Sequence, residues 1–131
     1  MSLSNARSSL PEELEHRAEI TIGCCLEVHR QIGPGMNEGV YSRACCIEFA
    51  TRGIAIEKEK LVSIRYRGVC HQRIDVLVDG RLVLEIKSVD RLHPVHVAQT
   101  VSSLRAAGVR VGLLVNFNVS LLKQGIRRVV L

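Results

Sequence analysis

Cys70-His71-Gln72-Arg73-Ile74-Asp75-Val76-Leu77-Val78-Asp79-Gly80-Arg81-Leu82-Val83-Leu84-Glu85-Ile86-Lys87 is the stretch on which the fold turns. Two runs of strand character flank Asp79-Gly80, a dipeptide favoured in hairpin turns. Side chains alternate between the faces of a strand. Arg73, Asp75 and Leu77 therefore share one face, and Ile74, Val76 and Val78 the other. In the second run Val83, Glu85 and Lys87 lie opposite Leu82, Leu84 and Ile86. A two-residue loop would pair Asp75 with Leu84 and break the match of the apolar faces. A three-residue loop, Val78-Asp79-Gly80 with Gly80 in a left-handed bulge, pairs Leu77 with Arg81 and Asp75 with Val83. Glu85 then stands diagonal to Asp75, with Lys87 next on the same face. The second register is the expectation.

Two carboxylates in one small area repel, and a hard cation such as Mg²⁺ relieves them. Such a cation can bind a phosphate oxygen and lower the pKa of a water. An amine beside it orients that water or stabilises developing charge. The bland alternative is an exposed Lys–Glu–Arg network of little energetic weight. An Asp followed by Glu-x-Lys, in phase with a clean apolar face, favours chemistry.

Working outward, the period of two extends upstream, giving further strands over residues 54–60 and 62–67, before 70–78 and 81–87. Residues 11–32 read as a helix, with Leu14, Ala18, Ile22, Cys25, His29 and Ile32 inward and Glu12, Glu13 and Glu15 in the first turn. Gly33-Pro34-Gly35 stops it. A second helix over 37–52 has Asn37 as N-cap, Gly53 as its stop, and Val40, Ala44, Cys46 and Ile47 as its buried stripe. Downstream, His93-Pro94 opens a third helix that ends at Gly108, with Val97, Val101 and Leu104 inward. Residues 109–117 form an apolar run expected to be a strand covered on both faces, and 126–131 one more strand. The expected architecture is α/β, a mixed central sheet flanked by helices, with 1–10 a flexible N-terminus and 11–131 a single domain.

Composition narrows the function. The 131 residues suit one core, and the net charge of +5 leans mildly toward polyanions. Aromatics are only 3%, which disfavours a platform that stacks single-stranded bases. The five cysteines (Cys24, Cys25, Cys45, Cys46, Cys70) lack finger or CxxC spacing, so buried thiols in a reducing, cytoplasmic compartment are expected. No apolar stretch approaches a membrane span, and no signal architecture opens the chain.

Asp75 with Glu85-Ile86-Lys87 resembles the D…(D/E)xK motif of the PD-(D/E)xK nuclease superfamily. Residues 28–41, Val-His-Arg-Gln-Ile-Gly-Pro-Gly-Met-Asn-Glu-Gly-Val-Tyr, are more specific. They resemble the signature of the small bacterial GxxExxY proteins, with Gly35, Glu38 and Tyr41 at the named positions. The similarity runs from about residue 14 to the C-terminus and includes residues 108–117.

The resemblance implies a restriction-endonuclease-like core and a nuclease dependent on Mg²⁺ (or Mn²⁺), hydrolysing phosphodiester bonds in DNA or RNA with a metal-activated water. It makes Asp75, Glu85 and the backbone carbonyl of Ile86 metal ligands, and Lys87 the lysine that orients water or stabilises charge. Glu38 matches a helix glutamate aimed at the metal or the lysine, and Gln99 a polar residue that contacts phosphate or a metal-bound water. Each has a plainer reading: Glu38 as a first-turn glutamate, Gln99 as a solvated side chain. His96 and His29 are expected to be structural, and Tyr41 to pack or hydrogen-bond. Two positions depart from the pattern. Ser103 stands where related nucleases often carry a tyrosine, and Ile74-Asp75 replaces Pro-Asp. Arg65, Arg67, Arg73, Arg105 and Arg110 are candidate phosphate contacts. The alternative function is a non-catalytic nucleic-acid- or protein-binding module on the same fold. A homodimer through an exposed strand such as the C-terminal one is compatible with either.

Overall fold

The computed structural model describes residues 10–131, with the side chain of Val69 excepted. Residues 1–9 lie outside the described part, and so does most of the segment expected to be flexible. Leu10, placed with that segment, is instead buried against the core.

The order of elements is α1 (Glu12–Ile32), α2 (Glu38–Thr51), β1 (Ile56–Arg65), β2 (Val69–Val78), β3 (Leu82–Lys87), α3 (Pro94–Ala107), β4 (Val111–Asn116), a 3₁₀ turn (Leu122–Gly125) and β5 (Ile126–Val130). One five-stranded sheet runs β1-β2-β3-β4-β5. Only β3 and β4 are parallel, and α3 is the crossover between them. Helices α1 and α2 cover one face, over Val76, Val78, Leu82, Leu84, Ile86, Leu113 and Val115. Helix α3 covers the other, where Leu104 packs with Leu77, Val83 and Val129. The mixed α/β architecture is as expected. Gly112 lets α3 approach closely: a Cβ there would lie 3.0 Å from a Leu104 methyl and 3.2 Å from Thr100 Cγ2.

Local chemistry explains the helix ends. Three glutamates open α1, and His29 and Arg30 close it, each matching the helix dipole. Asn37 caps α2 by accepting from the Val40 amide at 3.1 Å. The buried stripe of α2 differs from the expectation. Tyr41, Cys45 and Phe49 are buried, whereas Val40 and Ile47 are exposed and Ala44 and Cys46 only partly covered. Two large rings at eight-residue separation bury more apolar area than the aliphatic set, so they set the rotation of the helix. In α1, Thr21, Cys24 and Val28 join the expected inner face, while Ile22 and Ile32 sit at its margin. Cys24, Cys25 and Cys45 are buried as expected, but Cys70 is exposed.

The two strands expected over 54–60 and 62–67 are one strand, β1. Glu59, at φ +54°, interrupts its ladder without shifting register, since Lys58 faces Val76 and Lys60 faces Ile74. Leu61, where the expected strands part, faces Arg73 in the same register.

The β2–β3 turn also corrects an expectation. Asp79 and Gly80 both have positive φ, the Arg81 amide donates to the Val78 carbonyl at 3.0 Å, and Val78 pairs with Leu82. The loop is therefore Asp79-Gly80-Arg81, with Arg81 as the extra residue. Leu77 faces Val83, not Arg81. From outside the hairpin the Arg17 guanidinium holds the Asp79 carboxylate and Ala55 O accepts its amide at 2.8 Å, which fixes the turn one residue later. The parity survives: Asp75 and Glu85 share a face.

Candidate active site

The ladder between β2 and β3 ends with Val76 opposite Leu84. One step further in that register brings Asp75 opposite Glu85, closer than the diagonal relation expected. The ladder ends there because Asp75 substitutes for a strand partner. Its Oδ2 accepts the Ile86 amide at 2.8 Å, which anchors the carboxylate to the next strand.

Glu85 is only 9% exposed, and among the described residues its Oε1 has no hydrogen-bond partner. Its pKa is pushed up to about 8. Burial is the largest cause, followed by the Asp75 charge and the hydrogen bond with Asp75. A hydrogen bond from Ser103 and the charge of Lys87 act the other way. An acid held protonated near neutral pH, beside a second carboxylate and with one oxygen unsatisfied, is an environment that a hard cation would relieve.

The five residues singled out by sequence, Glu38, Asp75, Glu85, Lys87 and Gln99, line one cleft of about 490 Å³. Ile86 lines an adjoining cleft of about 410 Å³ that shares Glu38, Arg73 and Asp75 with the first. Helix α2 begins at Glu38, which is exposed at the cleft mouth. Lys87 ends β3, with Asn116 of β4 beside it and its carbonyl accepting the Phe117 amide at 2.9 Å. Gln99 is an exposed residue of α3, and its carbonyl accepts from Gln72 at 3.3 Å. Among the described residues, no three His, Cys, Asp or Glu side chains stand close enough to hold a metal by themselves. Asp75 and Glu85 supply two carboxylates. That suits an ion which keeps water and takes further oxygens from substrate.

Supporting residues explain the spacing. Tyr41 is fully buried, stacks on Phe117 with centroids 4.6 Å apart, donates to Gly33 O at 2.6 Å and accepts from the Met36 amide at 3.2 Å. It thus pins the Gly33–Met36 loop that delivers Glu38. Ser88 Oγ donates to Met36 O at 2.6 Å, joining that loop to the end of β3. The two histidines weighed from sequence both bond to backbone. His29 Nε2 donates to Val119 O at 2.8 Å, and His96 Nδ1 accepts the His93 amide at 2.9 Å at the start of α3. Burial, Lys87 and His93 lower the His96 pKa.

Of the arginines named, Arg73 lines both clefts and pairs with Glu59 at 3.6 Å. Arg65 and Arg67 lie on the hairpin away from the clefts, and Arg105 is exposed on α3. Sequence reasoning missed Gln72. Its Nε2 donates to Ser103 Oγ at 2.6 Å, and Ser103 in turn bonds Glu85. That link joins residues 31 apart in sequence, and no local pattern marks it. Arg43, Lys58 and Glu59 also line the smaller cleft without a signal in the motif.

Neither curated proteins nor solved structures yield a match to the chain. A family model described as the PD-(D/E)XK nuclease superfamily matches residues 15–129. That span takes in the α2 glutamate, the Asp75/Glu85/Lys87 hairpin and the α3 glutamine, and on it the chain belongs to the PD-(D/E)XK nuclease superfamily.

Proposed function

We propose that the protein is a divalent-metal-dependent nuclease that hydrolyses phosphodiester bonds in DNA or RNA. The observation that carries this reading is the buried Glu85 carboxyl, with Oε1 unpartnered, set against Asp75 and beside Lys87. Membership of a nuclease superfamily supports a nucleic-acid substrate in general terms. Within that superfamily, Gly35, Glu38 and Tyr41 favour kinship with the bacterial GxxExxY proteins.

Asp75 and Glu85 would hold a Mg²⁺ or Mn²⁺ ion, with the Ile86 carbonyl as a third oxygen and Glu38 approaching from α2. The ion would supply charge neutralisation at the phosphate and a more acidic water. Asp75 is oriented by the Ile86 amide. Lys87 donates hydrogen bonds to a phosphate oxygen or to the attacking water, and its charge opposes the negative charge that develops there. Gln99 and Arg73 line the same cleft and can contact the phosphate flanks. Free cysteines suit a reducing, cytoplasmic setting. Among the described residues no helix is long and apolar enough to cross a membrane.

The test is incubation with single-stranded DNA, duplex DNA and RNA in Mg²⁺ or Mn²⁺, beside Lys87→Ala. Wild-type cleavage reduced by about 100-fold or more in the variant is expected. Cleavage that persists in Lys87→Ala would defeat the reading. Binding without cleavage would select the non-catalytic module. Calorimetric titration with Mn²⁺ should show binding that Asp75→Asn weakens strongly.

A further inference from the structure

We propose that the free end of the β1–β2 hairpin grips double-stranded DNA and lays it along β2 toward the cleft. The proposal rests on the nuclease reading of the cleft and adds the form of the polymer and the residues that hold it.

Strand β2 pairs with β3 only at residues 76, 77 and 78, so further back its one partner is β1. Past Val62 and Gln72, which still lie against helix α3, the hairpin therefore stands out from the body as a two-stranded ribbon. Residues 63–68 are exposed without interruption, as are Cys70 and His71. Its charge is one-sided. Residues 63–71 include Arg65 and Arg67 and no acid. Glu57 and Glu59, nearer the body, are already paired with Lys60 and Arg73. Tyr66 is 67% exposed at the tip, with the Arg67 guanidinium 5.6 Å from its ring centre. Exposed cations around an exposed ring match a polyanion that also offers flat, apolar faces.

The shape selects the polymer. A B-form major groove, about 12 Å wide, admits a two-stranded β-ribbon, whereas the deep, narrow major groove of duplex RNA does not. A single strand is better held by several stacking rings, and this ribbon carries one. Gly68, at the tip just before β2, lies seven residues before Asp75, about 23 Å at ~3.3 Å per residue. At 3.4 Å per base pair, Arg65 and Arg67 would touch phosphates roughly seven base pairs from the bond at the cleft. Charged residues Glu57, Lys58, Glu59 and Lys60 on the outer edge strand argue against a second copy of the chain as the occupant.

The experiment is fluorescence anisotropy of the full chain in chelator with duplex DNA of about 20 base pairs, matched single-stranded DNA and matched duplex RNA, at several salt concentrations. Duplex DNA should bind tightest. Arg65→Ala/Arg67→Ala should weaken it about tenfold and reduce the slope of log K against log salt by about 2. Tyr66→Ala should weaken it as well. Added to a Lys87→Ala chain, the same arginine changes should weaken duplex binding by the same factor, so that lost cleavage and lost grip are read apart. If the double alanine variant melts earlier than wild type, Arg65→Gln/Arg67→Gln takes its place. Unchanged duplex affinity in the arginine variants overturns the proposal. So does tighter binding of single strands or duplex RNA, absence of duplex binding by wild type, or a self-association that the arginine variants abolish.

Discussion

The two halves of strand β2 live in different surroundings. Residues 76–78 are flanked by β1 and β3 and are buried. From residue 75 back to 69 the strand has β1 alone as its ladder partner; Cys70, His71 and Arg73 are exposed there, while Ile74 is still buried with Leu104. The first half is core; the second opens step by step into a ribbon. Asp75 stands at their border, where the ladder to β3 gives way and the carboxylate itself takes the Ile86 amide. A site placed at such a border gains a dry wall that perturbs Glu85 and an open side through which phosphate can enter. Neither half alone offers both.

The comparison can be broken most directly by truncation on each side. Leu84 pairs with Val76 and is fully buried, so Leu84→Ala should cost about 2–5 kcal/mol of stability. Ile64→Ala, on the exposed ribbon, should cost within about 0.5 kcal/mol. Urea denaturation measures both, and equal losses would mean that the ribbon is part of the core.

The next effect belongs to the border. Glu85 holds its proton up to about pH 8 in the folded chain, against an ordinary 4.5. The native state thus binds the proton more tightly than the unfolded chain does. Its contribution is fully present below 4.5 and is lost as pH rises through 8. Without metal, stability should fall across that window by an amount on the order of a few kcal/mol, and Glu85→Gln should remove the fall. Denaturation midpoints at intervals from pH 5 to 8 in chelator decide it. A Glu85→Gln curve parallel to wild type would place the titration elsewhere.

The smallest effect sharpens the link across the border. Ser103 receives Gln72 from the ribbon side and bonds Glu85 on the core side. Ser103→Ala should cost about 1 kcal/mol and raise the Glu85 pKa further, since the hydroxyl favours the ionised form. Carboxyl chemical shifts followed through a pH titration report that change. A lowered pKa would show that the hydroxyl acts as an acceptor instead.

Strand parity made Asp75, Glu85 and Lys87 legible from sequence, because a period of two assigns faces without knowledge of the turn. The turn itself was not legible to the residue. Which of Gly80 and Arg81 is the extra residue depends on Arg17 and Ala55, which hold Asp79 from outside the hairpin. Helix α2 was placed correctly and rotated wrongly: Tyr41 needs Phe117 to stack on, and that ring comes from the far end of β4. The continuity of β1 across Leu61 rests on its pairing with Arg73 of β2. In each case the missing information was a contact between segments distant in the chain.

The parallel pairing of β3 with β4 has a consequence in time. The hairpin that gathers Asp75 and Glu85 joins neighbouring segments and can form within microseconds. Lys87 is different: its carbonyl is fastened by Phe117, and Asn116 beside it holds Val89 through bonds of 3.0 and 2.9 Å. Those partners lie beyond the whole crossover helix, and closing so long a loop is slow. A chain still emerging from the ribosome would hold its two acids together before its lysine had an anchor.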